Sequence, residues 1–288
     1  MPELPEVEVV KRSLVDKIQN SIVKAVKIND GRLRYRVDKN KIKKIIGLKI
    51  KKISRRSKFL LFFFNNNSVM LVHLGMTGKF FFINQKNTKY KTSFYYDINE
   101  DKDKKHDRVI FNLSKNRKLI YNDVRKFGFI KFYNFEELND SKHLKDMGPE
   151  PFSGGFNLNY FTKKIKRKCS VKNLLMNQKF VAGLGNIYCS EILFDAGVNP
   201  EKICNELSKK QIEKIILSTR RILEKAINFG GTTIKNFVVN NEKIGYFKNK
   251  LKVYGKENQS CPRCKSLAKI QRIKQSGRST FLCTKCQN

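Results

Sequence analysis

The stretch from Cys261 to Cys286 reads CPRCKSLAKIQRIKQSGRSTFLCTKC and decides the fold of the C-terminal segment. Two thiolates three residues apart on a tight turn can bind one Zn²⁺, and a second such pair completes a closed tetrahedron. Four thiolates leave no open coordination position, so the sequence predicts one structural zinc ion. Residues 260–288 are too few to form a core alone, and we expect metal binding to supply their folding free energy. The predicted ligands are Cys261, Cys264, Cys283 and Cys286.

The net charge of the whole chain points to a polyanionic partner. The 288 residues include 61 Lys and Arg against 25 Asp and Glu, a formal charge of +36. Such a charge costs stability through self-repulsion, which a nucleic acid would relieve. However, Lys, Asn, Ile and Phe are all frequent, as A/T-rich codons would also produce. The charge therefore suggests nucleic acid without establishing it. The basic residues between the two cysteine pairs are also consistent with a nucleic-acid partner, although zinc ribbons bind proteins as well.

Two features argue against a membrane protein or a secreted disulfide scaffold. The longest run of large apolar residues is Phe59–Phe64, far short of the ~20 residues that span a bilayer, and no secretory signal opens the chain. Seven cysteines are an odd number, and four of them belong to the ribbon. We therefore expect a reducing, intracellular compartment and no membrane partner.

The pattern before the ribbon changes from β-rich to helical. Apolar residues at helical spacing after Pro5 predict an N-terminal helix. From 22 to 133, short apolar runs alternate with Asn, Gly, Ser and Lys clusters, which predicts strands in a sandwich or barrel. Residues 84–107 predict a long exposed loop with room for one strand. Helices are predicted from Asn186 to Ala196 and from Ser208 to Gly230. The length fits about two domains.

The N-terminus offers an unusual nucleophile. Removal of Met1 would leave Pro2 with a secondary amine, and free α-amino groups have a pKa near ~8. A secondary amine that condenses with a sugar carbon gives an iminium cation without an N–H proton to lose, and this electron sink favours elimination of a neighbouring phosphate. Glu3 and Glu6 would supply acid–base groups. The alternative is that this Pro-Glu pair has no function, as in many chains.

A second candidate site is the segment Gly183-Leu-Gly185-Asn186. Two glycines before a helix let a ligand approach the backbone closely, and the N–H groups at the helix start favour anions. With a polyanion as partner, this segment predicts a phosphate-binding turn. The alternative is an ordinary loop between helices.

Together these segments resemble the bacterial formamidopyrimidine-DNA glycosylases, which excise 8-oxoguanine and ring-opened purines. The similarity covers nearly the whole chain in order. It rests on Pro2–Glu8, Arg55–Leu61, His73–Gly78, Asp123–Gly128, Gly183–Glu191, Gly245–Phe247, Val253–Gly255 and the cysteine ribbon. The sister branch that excises oxidised pyrimidines usually opens with Pro-Glu-Gly-Pro, and Leu4 favours the purine branch.

The resemblance implies an α+β fold of four segments. They are a β-sandwich catalytic domain with its N-terminal helix (1–134), a linker (135–155), a helix–two-turn–helix DNA-binding domain with a lesion-covering loop (156–259), and a zinc finger (260–288). The active site is expected in the cleft between the domains. The resemblance also implies damaged double-stranded DNA as partner, one zinc ion, a monomer, and a bacterial cytoplasmic location at the nucleoid.

Four residues take catalytic roles by this resemblance. Pro2 would attack the sugar carbon that bears the damaged base, and Glu3 would donate and accept protons. Lys58 would assist base loss and the first elimination, which cuts 3′ of the lesion. Arg278 would bind phosphate and serve the second elimination, which cuts 5′.

Eight further residues are implied in DNA binding. Three of them match the trio that enters the duplex when the base is flipped, a step that costs a few kcal/mol and leaves a gap to fill. Core packing is the alternative for Met76 and Phe127, and a structural role is the alternative for His73. Residues 231–254 match the segment that covers the flipped purine, and their composition suits a mobile lid. The eight residues are His73, Met76, His106, Arg125, Phe127, Arg167, Lys172 and Asn186, of which Met76, Arg125 and Phe127 form the trio.

The chain departs from the family pattern at three places. Val124 stands where proline is usual, Arg108 stands where histidine is frequent, and the stretch between the cysteine pairs is about two residues longer. None of these changes touches Pro2, Glu3 or Lys58, so loss of activity is not indicated. A non-catalytic zinc-ribbon protein that binds nucleic acid is the alternative from a different class.

Overall fold

The computed structural model describes residues 2–85, 89–91, 104–165, 168–231, 237–239, 242–244, 247–264 and 267–287. Contacts group the chain into two compact units. Unit 1 is Met1–Lys145 with Phe229–Tyr246, and unit 2 is Asp146–Asn228 with Phe247–Asn288. The four segments proposed from the sequence stay a prediction.

Unit 1 is mostly β-structure. Its helices are α1 (Leu4–Ile18) and α2 (Lys39–Lys43). Its strands are β1 (Val23–Ile28), β2 (Ile50–Arg56), β3 (Phe59–Phe64), β4 (Ser68–His73), β5 (Lys79–Ile83), β6 (Lys89–Lys91), β7 (Asp107–Leu113), β8 (Arg117–Asn122), β9 (Phe129–Asn134), β10 (Phe237–Val239) and β11 (Glu242–Ile244).

Two antiparallel sheets form the body of unit 1. One has the strand order β1-β7-β8-β5-β6 and the other β2-β3-β4-β9. The ring centroids of Phe62 in β3 and Phe80 in β5 lie 6.0 Å apart, and both side chains are completely buried. The two sheets therefore share a core, which confirms the predicted β-sandwich.

The first helix confirms its prediction and packs on the second sheet. Pro5 lies in the first turn of α1, and the buried positions Val7, Val10, Leu14 and Ile18 recur at helical spacing. This apolar stripe packs α1 against β2 and β3.

Strands β1 and β2 show no continuous apolar run in the sequence. Both lie at the edge of their sheet, and Lys and Arg occupy most of their outward positions. Charged residues on edge strands prevent pairing with other chains, so the hydrophobic pattern that identifies central strands is weak there. β6 lies in the predicted long loop, of which residues 86–88 and 92–103 are outside the described residues.

Unit 2 is mostly helical. Its helices are α3 (Leu158–Lys164), α4 (Val171–Met176), α5 (Asn186–Ala196), α6 (Lys209–Asn228) and α7 (Phe247–Lys250), with a 3₁₀ turn at Cys204–Glu206. α5 and α6 confirm two predicted helices. Ser208 and Gln211 exchange reciprocal hydrogen bonds of 3.1 and 3.2 Å at the start of α6, and this is the predicted capping box. Among the described residues, no helix is long and apolar enough to cross a bilayer.

The cysteine segment folds as a hairpin on α5. Strands β12 (Gln271–Gln275) and β13 (Arg278–Leu282) pair antiparallel, and the turn between them has positive φ at Ser276 and Gly277 (49° and 74°). A two-residue turn of this kind matches the twist of a hairpin. Phe194 of α5 belongs to the same buried cluster as the hairpin, so the segment shares its core with the helical unit.

Candidate functional site

The Pro2–Glu3 pair lies at the buried start of α1. Glu3 is 3 % exposed and Glu6 is 1 % exposed, and the Glu3 N–H donates to Oε2 of Glu6 at 2.8 Å. Gly231, with φ +83°, lies so close that a Cβ there would come within 3.0 Å of Glu6 Oε1. The sequence suggests Glu6 as an acid–base group. In the structure its carboxylate holds the backbone of Glu3, next to Pro2.

A clamp joins α1 to the turn that carries Lys58. Arg55 Nε donates to Glu8 Oε2 at 3.0 Å, and Arg55 Nη1 donates to the Ser57 carbonyl at 2.9 Å. Burial acts to raise the pKa of the Glu8 carboxyl, but hydrogen bonds and positive charge from Lys11 and Arg55 outweigh it and hold that pKa below its usual value. Lys58 is 7 % exposed. Unit 1 thus holds three of the predicted catalytic residues, Pro2, Glu3 and Lys58, on elements that are bonded together.

His73 ends β4 as an uncharged ring near Lys58. Its Nδ1 accepts the N–H of Gly75 at 3.1 Å, and its ring stacks on Phe129 with centroids 5.4 Å apart. Burial, followed by the positive charges of Lys58 and Arg34, lowers the pKa of His73 to about 4. The ring is therefore neutral near pH 7 and carries its proton on Nε2.

The predicted trio forms an exposed cluster in unit 1. Met76 is 38 % and Phe127 is 45 % exposed, so neither side chain is packed in the core. The guanidinium carbon of Arg125 lies 4.7 Å from the centroid of the Phe127 ring. With Arg34 and His73 they line a cavity of about 660 Å³.

Asp123 holds together the two turns that carry the trio. Its Oδ1 accepts the Thr77 hydroxyl, and its Oδ2 accepts the Gly128 N–H at 2.8 Å. Thr77 Oγ1 in turn accepts the N–H of Arg125 at 3.0 Å. The turns touch so closely that a Cβ at Gly75 would come within 2.4 Å of the Gly128 nitrogen.

Asp30 anchors the same region from a distant part of the sequence. Its Oδ2 lies 3.2 Å from Arg108 Nη1 and 2.8 Å from Lys126 Nζ, while Arg108 Nε donates to the Asp123 carbonyl at 2.8 Å. Hydrogen bonds from Arg32 and then Lys126 hold the pKa of Asp30 well below its usual range. Sequence reasoning did not find Asp30, because its partners are far along the chain.

His106 lies just before β7 and belongs to this network. Its carbonyl accepts the Asp123 N–H at 3.1 Å, and its Nδ1 lies 3.2 Å from Arg108 Nη2. Its predicted DNA contact stays a prediction.

In unit 2, Asn186 begins α5 and is bonded to the finger. Lys172 Nζ donates to Asn186 Oδ1 at 2.6 Å and to Thr280 Oγ1 at 2.5 Å. Asn186 Nδ2 donates to the Ser279 carbonyl at 2.8 Å. Lys172 was predicted to contact DNA, but its side chain is 1 % exposed and its ammonium is used inside unit 2. Its direct DNA contact stays a prediction, and these internal hydrogen bonds favour a positioning role.

Arg278 is exposed at the tip of the finger hairpin, next to Ser279. Its side chain has no hydrogen-bond partner among the described residues, so its guanidinium is available to a phosphate. Arg167, also predicted to bind DNA, lies outside the described residues. So do 232–236, 240–241 and 245–246 of the predicted lid.

Glu191 ends the segment Gly183–Glu191 that resembles the family, but the sequence predicts no role for it. Its carboxylate is 2 % exposed and accepts the N–H groups of Lys252, Val253 and Tyr254 at 2.8, 2.9 and 2.8 Å. Burial raises the pKa of Glu191, although these three bonds oppose the shift. Glu191 thereby fixes the chain that leads into the finger on α5. A glutamate directly before the apolar run Ile192–Phe194 of the helix was the available signal.

The four ribbon cysteines converge on one point. Their Sγ atoms all lie within 4.8 Å of one another, and the Cys261–Cys286 and Cys264–Cys283 pairs are each 3.7 Å apart. A tetrahedral ion with Zn–S bonds of ~2.3 Å requires about 3.8 Å between sulfurs. The residues therefore fit a closed four-sulfur metal site.

Comparisons with known proteins agree along the whole chain. A model described as the formamidopyrimidine-DNA glycosylase N-terminal domain matches residues 1–130, and one described as the H2TH domain of that glycosylase matches 147–238. The formamidopyrimidine-DNA glycosylase of Rickettsia africae is 44 % identical, over 100 % of this chain and 99 % of the relative. That of Rickettsia bellii is 42 % identical with the same coverage.

Solved structures give the same result. A Lactococcus lactis Fpg mutant in complex with Fapy-dG-containing DNA superposes with a TM-score of 0.85 at 34 % identity, covering 100 % of both chains. The Lactococcus lactis Fpg bound to DNA with an abasic site gives 0.84 at 33 % identity and 99 % coverage of both. Fold and sequence thus define a DNA glycosylase. The chain belongs to the formamidopyrimidine-DNA glycosylase family.

Proposed function

We propose that this protein excises oxidised purines, such as 8-oxoguanine and formamidopyrimidines, from duplex DNA and cuts the strand at the resulting abasic site. The observation that carries the proposal is the buried Pro2–Glu3 pair at the start of α1, bonded through Glu8 and Arg55 to the Lys58 turn. Solved complexes of the Lactococcus lactis Fpg contain Fapy-dG DNA and abasic-site DNA, which supports a damaged purine and an abasic site as the DNA groups that this chain would bind.

Base excision would begin at the Pro2 amine. Its nitrogen forms a bond to C1′ while the bond from C1′ to the damaged base breaks, and the base leaves with a proton. Glu3 then gives a proton to O4′ as the C1′–O4′ bond breaks and the sugar ring opens, and the nitrogen lone pair forms the C1′=N double bond. The product is an iminium cation that joins Pro2 to the sugar.

Strand cleavage would follow as two eliminations from that iminium. Loss of a C2′ proton breaks the C3′–O bond and releases the 3′ phosphate, and Lys58 assists this step. Loss of a C4′ proton then breaks the C5′–O bond in a second elimination, with Arg278 on the departing phosphate. Water then hydrolyses the iminium and frees Pro2, leaving a one-nucleotide gap.

Damage-site binding would use neutral donors as well as cations. His73 can donate one hydrogen bond from Nε2 to a phosphate without adding charge, because its pKa is about 4. Asn186 begins α5 with its side chain held by Lys172, where backbone N–H groups favour an anion. Met76, Arg125 and Phe127 are the residues we assign to the gap left by the flipped nucleotide.

Zinc is the metal that we propose for the ribbon. Cys261, Cys264, Cys283 and Cys286 would hold one ion, which supplies folding free energy and no chemistry, because four thiolates leave no open position. The family relation to bacterial enzymes also supports a cytoplasmic location at the nucleoid, and we expect a monomer.

A substrate panel tests this function. Duplexes with 8-oxoguanine opposite cytosine, with thymine glycol, and with no lesion are incubated with the zinc-loaded protein, and base release and strand cuts are measured. We expect excision of 8-oxoguanine with cuts on both sides of the site, and much slower excision of thymine glycol. Preference for thymine glycol would support the pyrimidine-directed sister activity. Salt-dependent binding without cleavage would support the non-catalytic alternative.

A further inference from the structure

Two cysteines outside the ribbon lie side by side in unit 2. The Sγ atoms of Cys169 and Cys204 are 3.7 Å apart. Cys204 is buried and Cys169 is partly exposed. The proposed reaction and the metal site use neither thiol. The remaining cysteine outside the ribbon, Cys189, is buried in α5 and provides a natural control.

The backbone holds Cys169 and Cys204 opposite each other. Ser170 and Ile203 form an antiparallel bridge, and the Cys204 N–H donates to the Cys169 carbonyl at 2.9 Å. Directly opposite residues of an antiparallel pair have Cα atoms about 4.5–5.5 Å apart. Disulfides span Cα distances of about 4.4–6.8 Å. Only a side-chain movement is therefore needed to bring the sulfurs to bonding distance.

We propose that Cys169 and Cys204 are an oxidation site, at which a hydroperoxide forms a disulfide that locks this part of unit 2. The thiolate of Cys169, the more exposed residue, attacks the peroxide: an S–O bond forms, the O–O bond breaks, and water or an alcohol leaves. The Cys204 sulfur then attacks the Cys169 sulfenic acid: the S–S bond forms, the S–O bond breaks, and water leaves. The two thiols lose two electrons and two protons, which the peroxide takes up.

The order of these steps follows from the surroundings of the two sulfurs. Burial, followed by the neighbouring Cys169, raises the pKa of Cys204 to about 12. A thiol that stays protonated is a poor first nucleophile, so Cys169 reacts first. Its oxidation to a neutral sulfenic acid removes the negative charge that helps to keep Cys204 protonated, and Cys204 then attacks the sulfenic acid in contact with it.

The cross-link would close a loop between residues 35 positions apart. That loop contains α4, the Gly183–Asn186 turn and α5, and so both Lys172 and Asn186. Closing a loop of this length restricts the unfolded chain and stabilises the folded one. The same class of oxidant that damages purines would thus lock the helix start that we assign to DNA binding.

The test uses the full-length, zinc-loaded protein and hydrogen peroxide. After each dose, free thiols are alkylated, disulfide-linked peptides are mapped, zinc release is followed with a chromogenic chelator, and the Tm is measured. We expect a linked Cys169–Cys204 peptide pair, a mass loss of about 2 Da that a thiol reductant reverses, zinc still bound, and a Tm rise of at least ~2 °C. Cys204→Ser should lose both the link and the rise, and Cys189→Ala should keep both.

Several results would overturn the proposal. Irreversible oxidation of Cys169 while Cys204 stays alkylatable would show that the pair does not bridge. Release of zinc before any link forms would show that the ribbon reacts first. A linked protein with an unchanged or lower Tm would contradict the locking role.

Discussion

At the residue scale, the environment of a side chain decides which chemistry it can perform. His73 is in a region that we assign to phosphate binding, yet burial and nearby positive charge lower its pKa to about 4. Its role near pH 7 is therefore that of a neutral donor with a fixed tautomer, because Nδ1 is held by the Gly75 N–H at 3.1 Å. Lys58 supplies the charge beside it.

The free energy of unfolding should decrease in acid because His73 is neutral in the folded chain. In the unfolded chain its ring takes up a proton below pH ~6.5, whereas in the folded chain it does so only near pH 4. Acidification between these values therefore favours unfolding, by on the order of 2 kcal/mol from this residue. His73→Asn keeps an acceptor for Gly75 and does not titrate. Urea unfolding at pH 7 and pH 4.5 should show a smaller loss of stability in the variant, and an equal loss would contradict the assignment.

At the element scale, bonds between distant segments position the turns of unit 1. Asp123 joins the turns that carry Met76 and Arg125, and Asp30 joins the second turn through Lys126 and Arg108. These side-chain bonds hold the loop at Val124, where proline is usual in the family. We propose that this loop enters DNA, and a loop fixed in this way would lose less entropy on binding.

Asp30→Asn tests this anchoring. The variant loses the ion pair to Lys126 in the loop and the pair to Arg108, which bonds the Asp123 carbonyl. We expect the kcat/KM for 8-oxoguanine excision to fall by about tenfold, with little change in affinity for undamaged DNA. Arg32→Gln is the matched control, since Arg32 also pairs with Asp30 but is 78 % exposed and does not belong to the loop. Equal effects of the two substitutions would contradict the anchoring role.

Lys172 offers a second test at this scale, in unit 2. A phosphate contact contributes about −0.9 to the slope of log K against log salt concentration, and an internal positioning residue contributes nothing. Lys172→Gln should therefore weaken DNA binding several-fold without changing that slope, because its ammonium bonds Asn186 and Thr280. Arg278→Gln should make the slope less negative, because one phosphate contact is lost. If Lys172→Gln changes the slope as much as Arg278→Gln does, Lys172 contacts a phosphate directly, and the positioning role is contradicted.

At the scale of the whole molecule, the chain combines a β-sandwich with a helical unit that carries the four-cysteine hairpin. The net charge of +36 opposes compactness and favours DNA, but only a few cations have an assigned role. The finger shares Phe194 with α5, and we propose that a metal ion on its four cysteines supplies the rest of its stability.

Zinc removal should unfold the hairpin of unit 2 and leave unit 1 folded. Chelation is expected to unfold the hairpin and to abolish tight DNA binding, because Arg278 and the Ser279 partner of Asn186 lie on it. The β-sandwich should keep its circular dichroism signal. Metal analysis should give one zinc per chain before treatment, with Cys189→Ala as a variant that retains it. Tight lesion binding by a metal-free protein would contradict this dependence.

The sequence predicted features that local patterns encode. The cysteine spacing, the N-terminal helix and the capping box of α6 all depend on residues a few positions apart, and each was found. The Glu8–Arg55 and Asp30–Arg108 pairs join residues 47 and 78 positions apart, and such contacts leave no periodic signal. The sequence also does not predict that Lys172 is buried. A lysine beside a predicted phosphate site suggests a phosphate contact, whereas in the structure its ammonium bonds Asn186 and Thr280.

The central claim is that the Pro2 amine forms the covalent intermediate, and borohydride trapping tests it most directly. Zinc-loaded protein is mixed with an 8-oxoguanine duplex in the presence of borohydride, which reduces the iminium to a stable amine, and the adduct is located by peptide mapping. We predict one DNA adduct per chain on the peptide that begins with Pro2, and a much weaker adduct in Pro2→Gly, whose terminus is a primary amine. An adduct on Lys58, an adduct that survives Pro2→Gly unchanged, or no adduct during active excision would contradict the claim.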